Sequence, residues 1–349
     1  MSEPTEKVKA LENLIKHYNG RRLRIMEVCG THTHEIFRLG IRGILPDAVT
    51  LISGPGCPVC VTPTGFLDEA LLLAGRKATI CTFGDLVRVP GTASSLAGAR
   101  MNGAKVRMVY SPLDSVEYAA AHPEEQVVFL SVGFETTTPA SCIAVREARE
   151  RGLKNYSLLT ANKTMENAYR ALKDSVDAFL YPGHVSVITG CHVYRELLKE
   201  DISGVVTGFS GEEILTSLAV ILHRCAEEKP FFENCYPRAV SEEGAVYGRQ
   251  IIEDTMEPCD AEWRGLGIIG GSGLKLREEF RDFDARIKFC LPAVSGHGNP
   301  LCSCGDILQG KKRPDECVLF GKGCTPEHPA GACMVSNEGA CSAYYKYHI

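Results

Sequence analysis

Residues 23–40 read LRIMEVCGTHTHEIFRLG. A short β-rich apolar run, 23–28, ends at Cys29 and Gly30, and a helix-patterned segment begins at once. The same alternation recurs to about Glu228. The runs 49–53, 78–83, 106–110, 127–132, 156–160, 178–181 and 204–207 predict strands, and 65–74, 140–151, 165–174 and 212–228 predict helices between them. That rhythm is the signal of βαβ units around parallel sheets. The expected architecture is α/β: two doubly wound parallel-sheet domains followed by a small cysteine-rich C-terminal domain. The Gly-rich stretch 90–103 is where the chain is expected to change domains, giving about 1–100, 101–229 and a Gly/Pro/Cys-rich 230–349, with interleaving of the domains left open.

With 349 residues, 44% of them apolar, the chain exceeds what one core normally serves and has the means to fill two or three. A net charge of -5 with both signs intermixed lacks the footprint of a protein that neutralises nucleic-acid phosphates. The opening MSEPTEKVKALENLIKHYNG is charged and carries no apolar signal-peptide core, and no apolar run approaches the roughly 18 residues of a membrane span. A cytoplasmic location is therefore expected. In that reducing compartment sixteen cysteines argue for metal binding or redox chemistry, not a disulfide framework.

Six of those cysteines, 302, 304, 317, 324, 333 and 341, fall within forty residues of the tail. Neither the paired knuckles of a structural zinc site nor the C-x2-C-x2-C run of bacterial ferredoxins is present, so spacing leaves zinc and an iron-sulfur cluster open. His328 reads as an exposed turn residue. Upstream, Cys29 lies between a strand and a helix, at the carboxyl end of the expected sheet, where open α/β folds bind ligands. A helix N-terminus there is expected to lower its thiol pKa and suit it to nucleophilic or soft-metal chemistry. His32 is expected to face this site and His34 to pack elsewhere; Thr31 or Thr33 is expected to cap the helix.

A second loop, ISGPGCPVCVTPTGF, carries Cys57 and Cys60 as C-x2-C on the same expected sheet edge, where the pair can close a disulfide or bind metal. Two further post-strand loops, GFETTTP with Glu135 and YPGHVSVITG with His184, offer acid-base or hydrogen-bonding groups to a cleft between the domains. The isolated cysteines 81, 142, 191, 225, 235, 259 and 290 read as small buried hydrophobes. No P-loop signature is present, and no ATP binding is expected.

Taken together, MEVCGTHTHEI, GPGCPVCVTP, SVGFETTTP, YPGHVSVI, ENCYPRAV, EWRGLGIIGGSGL and the tail from CGDILQG through CTPEHP to MVSNEGACSAYYKY closely resemble the HypD family of hydrogenase maturation proteins. The resemblance spans nearly the whole chain. It implies a 4Fe-4S cluster in the tail held by Cys304, Cys317, Cys324 and Cys341, with Cys302 and Cys333 surplus. It further implies a transient ferrous iron at Cys29 that receives cyanide and carbon monoxide, a dithiol/disulfide pair at Cys57 and Cys60, and work alongside the chaperone HypC and the cyanide donor HypE. His32 and Glu135 become candidates for proton handling. The family's usual proline and asparagine are replaced by Gly270 and Ala245, which puts those loops in doubt. The expected protein is a redox-active assembly scaffold for the Fe(CN)2CO unit of nickel-iron hydrogenase, not a conventional turnover enzyme. A stand-alone thiol-disulfide oxidoreductase with a structural zinc tail is the rival, and a regulatory protein binding a small molecule in the cleft is a third reading.

Overall fold

The computed structural model describes residues 6–347. Its strands are β1 (Leu23–Glu27), β2 (Val49–Ser53), β3 (Thr79–Thr82), β4 (Val106–Met108), β5 (Val127–Ser131), β6 (Tyr156–Thr160), β7 (Ala178–Pro182), β8 (Gly204–Thr207), β9 (Phe232–Asn234), β10 (Met256–Trp263) and β11 (Gly267–Leu276). They form a five-stranded sheet ordered β2-β1-β7-β8-β9, a four-stranded sheet ordered β4-β3-β5-β6, and the β10-β11 hairpin. Every pairing in the two larger sheets is parallel. Helices cover such sheets on both faces, so their strands are buried along their whole length. β3 and β5 to β8 obey this at every residue, which is why they read as continuous apolar runs.

Helix starts follow from local chemistry. Ser111 and Asp114 form a capping box for helix Pro112–Ala121, with Pro112 inside the first turn, and Ser210 with Glu213 does the same for Gly211–Cys225. All eight expected strands are present. The three others were not expected. β9 has only three residues, and the hairpin carries Pro258, Gly270, Gly271 and Gly273, which read as loop.

The sheets do not follow the expected division of the chain. After β2 the chain leaves the first sheet, builds the whole of the second, and returns for β7 to β9. A cut at residue 100 would separate β3 from β4, which pair through Ile80 and Val106. Residues after 229 are not a body apart either. β9 completes the first sheet, and the hairpin bonds the segment after β6, with Leu274 N–H donating to Asn162 O at 3.1 Å and Thr164 N–H to Ser272 O at 2.9 Å. The tail folds into short turns and the helices Cys304–Leu308, Ala332–Val335 and Ala340–Tyr347. One apolar cluster joins Met26, Val28 and Ile52 of the first sheet region, Trp263 of the hairpin, and tail cysteines. Among the described residues, no helix is long and apolar enough to cross a membrane.

Candidate functional site

Because the first sheet is parallel, the loops after β1, β2, β7 and β8 all leave from one edge, the ligand-binding edge of open α/β sheets. The β1-β2 register sets Glu27 beside Ser53, so the two following loops run against each other. Gly54 N–H donates to Glu27 O at 2.8 Å and Gly30 N–H to Gly56 O at 3.1 Å. A Cβ on Gly56 would lie closer than 3.0 Å to the Cys29 amide nitrogen and the Val28 carbonyl carbon, a separation real Cβ atoms essentially never show. The Gly-Pro-Gly sequence thus permits backbone contact between the two thiol loops.

Cys29 is the N-cap residue of helix Gly30–Arg38, as expected, but its thiol is not acidified. Burial pushes it up to about 12, outweighing the His32 and Thr31 N–H groups that pull it down. The expected low pKa fails because the sulfur has lost water as well as gained a helix end. Neither threonine caps the helix. Thr33 Oγ1 donates to Glu27 Oε1 at 2.7 Å and to Cys29 O at 3.2 Å, while Thr31 Oγ1 donates to Glu338 Oε1 at 3.1 Å.

Those bonds expose two carboxyls that the sequence reading missed. Glu27 is wholly buried and its Oε2 accepts the Cys29 N–H at 3.4 Å. Burial raises its pKa to about 7 against the opposing pull of Ser53, Thr33 and the Arg42 charge. Arg42, half-buried, donates to Ser53 Oγ at 2.7 Å and to Leu51 O. Glu338 reaches from the tail to lie against Gly30, and burial raises its pKa too. A carboxylate interrupting the apolar run 23–28 was the available signal for Glu27; Glu338 stood inside a quoted tail motif.

His32 and His184 come together through a residue no motif marked. Phe209, after β8, stacks on His32 with ring centroids 4.6 Å apart and on His184 at 3.9 Å. His32 is fully buried, bonds Gly208 O through Nε2 at 2.9 Å, and leaves Nδ1 without a partner among the described residues. Burial holds its pKa down to about 4, so it is a neutral ring at pH 7. Since Gly208 O can only accept, Nε2 carries the proton and Nδ1 is the free acceptor. His184 is exposed and its pKa is also lowered, by desolvation.

The thiols of the second loop meet those of the tail. Cys57 caps helix Pro58–Val61, its Sγ accepting the Cys60 N–H at 3.4 Å. Cys60 Sγ is in hydrogen-bond contact with Cys333 and with Cys57. Cys333 Sγ lies 2.7 Å from Cys304 Sγ and also contacts Cys341. Cys333 thus contacts Cys60, Cys304 and Cys341. All six tail cysteines line one pocket with Ile307, Leu319, Phe320 and Met334. Ala330 N–H donates to Cys324 Sγ at 3.3 Å. Burial raises Cys317, yet N–H groups of Ser303, Leu319 and Phe320 bring it below the usual thiol value. Among the described residues no group of three or more His, Cys, Asp or Glu is arranged to hold a single metal ion.

Glu135 joins none of these contacts. Its Oε1 accepts the Met165 N–H at 2.8 Å, Oε2 has no partner among the described residues, and burial pushes its pKa up to about 7. A carboxyl with a raised folded pKa holds its proton more tightly in the folded state. The stability this contributes is full below about 4.5 and lost as pH rises through about 7. Glu135→Gln removes that loss, so between those pH values the variant should gain up to about 3 kcal/mol relative to wild type. Denaturation midpoints at both pH values measure it, and parallel slopes for the two proteins would refute it.

The family profile "HypD: Hydrogenase formation hypA family" matches residues 5–348. "Hydrogenase maturation factor HypD" of Rhodobacter capsulatus is 44% identical over 338 residues, covering 93% of this chain and 89% of the relative. The proteins of that name from Azotobacter vinelandii and Escherichia coli K12 are 42% and 41% identical, each covering 94% of this chain and 90% of the relative. A profile match along nearly the whole chain and identities of 41–44% to these three relatives show that this chain belongs to the HypD family.

Proposed function

We propose that this chain serves hydrogenase maturation as the scaffold on which an iron unit bearing two cyanides and one carbon monoxide is assembled, with Cys29 holding the iron. The observation that carries this reading is the run of thiols from Cys57 through Cys60 and Cys333 to Cys304 and Cys341, laid beside the loop that presents Cys29.

The Cys29 sulfur is a fitting soft ligand for low-spin ferrous iron. With its pKa near 12 it stays a thiol until a cation displaces the proton. Glu27 and Glu338 stand beside it to receive that proton. A second thiolate from a chaperone of the HypC kind, and cyanide delivered by a HypE-type donor, complete the proposed assembly.

The tail fits a 4Fe-4S cluster by its donors: thiols alone, apolar walls, and backbone N–H groups aimed at Cys317 and Cys324. Since Cys304 is engaged with Cys333, we assign the ligands as Cys302, Cys317, Cys324 and Cys341, in place of the set containing Cys304. When bound, such a cluster supplies single electrons. The chain's own residues carry the two-electron step. Cys333 as thiolate attacks Cys60 of a Cys57–Cys60 disulfide and frees Cys57. Cys304 then attacks Cys333, forming the Cys304–Cys333 disulfide and releasing Cys60. Two electrons and two protons thus pass to the Cys57/Cys60 pair. Cys57 and Cys60 are only 3% and 0% exposed, which disfavours a stand-alone oxidoreductase acting on protein disulfides.

Infrared spectroscopy of the anaerobic complex with the chaperone tests the scaffold role. Cyanide and carbonyl stretches are expected, and their absence from a complex competent in maturation would overturn it. A second measurement separates the two ligand sets. Cys302→Ala should lose iron, sulfide and the visible absorption of a cluster, whereas Cys304→Ala should keep them and lose exchange with Cys57/Cys60. The reverse pattern would restore Cys304 as a ligand.

A further inference from the structure

A second crevice lies away from the thiols, between the carboxyl end of the second sheet and the hairpin. Lys163 follows β6, and its backbone is pinned from two directions. Its N–H donates to Gly133 O at 2.9 Å, and both its neighbours bond the hairpin. The side chain therefore has to enter the crevice, a pocket of about 250 Å³ that it lines together with Phe66, Glu69, Glu262, Leu274 and Arg286.

Lys163 is only 3% exposed. Its Nζ sits 5.7 Å from the centroid of the Trp263 ring, and among the described residues no hydrogen bond or ion pair reaches it. Burial lowers its pKa to about 8, with Glu262 and Cys259 pulling back and Arg286 adding to the fall, so it is still a cation at pH 7. The ammonium opens onto the crevice and bonds no acceptor among the described residues, so its three N–H donors are left to whatever fills the crevice.

None of the nearby acids bonds it. Glu69 is clamped to Arg286 by bonds of 2.9 and 2.8 Å, Asp260 accepts the Gly271 N–H at 3.0 Å, and Glu262 faces solvent. Lys275 is paired with Glu257 at 3.0 Å. Arg286 spends a further donor on Thr160 O at 3.0 Å. With three of its five N–H donors used, two remain.

We propose that this crevice binds a small oxyanion, a carboxylate or phosphate group, whose oxygens take the Lys163 ammonium and the free N–H donors of Arg286. The pocket is smaller than the usual range for drug-sized ligands, which limits the occupant to a small metabolite. The site is separate from Cys29 and from the thiol run, and stands or falls independently of the scaffold reading.

Trp263 is the chain's single tryptophan and its ring lies 5.7 Å from Lys163 Nζ, so its fluorescence should respond to an anion taken up by that ammonium. The anaerobic full-length protein is titrated with inorganic phosphate and, separately, with acetate, chloride holding the ionic strength constant. A saturable change with at least one of them is expected. Lys163→Met should weaken it about tenfold or more, and Lys163→Arg should keep it within about threefold. A response to phosphate alone assigns a phosphate group, and a response to acetate assigns a carboxylate. Should K163M fail to fold, K163Q carries the same comparison. No saturable change with either anion, or equal binding by the uncharged variant, would overturn the proposal and leave the crevice to water.

Discussion

Replacing Cys29 by alanine is expected to abolish hydrogenase maturation while leaving the fold standing. The change removes one buried sulfur from a loop whose shape is held by backbone bonds, Gly30 N–H to Gly56 O and Thr33 N–H to Cys29 O, which alanine retains. The loss of packing should cost only about 1 kcal/mol. On the proposed scaffold role the chemical loss should be total, because the neighbouring thiols Cys57 and Cys60 contact each other and Cys60 contacts Cys333. Cys29→Ser should fail as well, since a hydroxyl is a poor ligand for soft low-spin iron. Hydrogenase activity in cells should fall to that of a strain lacking the protein, with the thermal transition nearly unmoved and the infrared bands gone. Full activity of the alanine variant would sink the scaffold role. Cys81→Ala, at a cysteine buried in the second sheet, is the control and should mature hydrogenase normally.

The second large effect comes from a residue with no reactive group. Gly56→Ala places a methyl against the backbone of Val28 and Cys29, at separations that no rotamer can relieve. Either the loop after β2 lifts away from the loop after β1 or both strands shift. Overpacking against backbone of this kind costs about 3 kcal/mol, which should lower the melting temperature of a chain this long by roughly 4 °C. The Cys29 loop and the Cys57/Cys60 loop would no longer meet, so on the proposed scaffold role maturation should fall further than the loss of folded protein explains. Activity that tracks only the folded fraction would show that the contact serves stability alone. Gly75→Ala, with open space around its added methyl, is the matching control.

Both predictions rest on features of different legibility. The strands of the two sheets were readable because burial on both faces forces an apolar run, which is a local property. The hairpin was not, since Pro258 and its glycines argue against strand while pairing across the turn supplies what propensity lacks. The convergence of the Cys29 and Cys57/Cys60 loops was readable from their shared place after strands. The low pKa expected of Cys29 was wrong because a helix end is visible in sequence and enclosure by Glu27 and Glu338, 311 residues apart in the chain, is not. Phe209, which carries the two histidines, had no sequence signal at all, since a stacking partner is defined only by where its ring ends up.

By itself the sequence determined the α/β rhythm, the thiol loops at strand ends and membership of the family, because each depends on residue type and spacing along the chain. Only the tertiary structure decided that the second sheet is inserted within the first, that Cys304 meets Cys333 and through it Cys60, that Cys29 is buried, and that Lys163 opens onto a crevice with no acceptor among the described residues. Pairing order, sulfur contacts and desolvation are set by groups distant in sequence, and their energies exist only once the chain has brought those groups together.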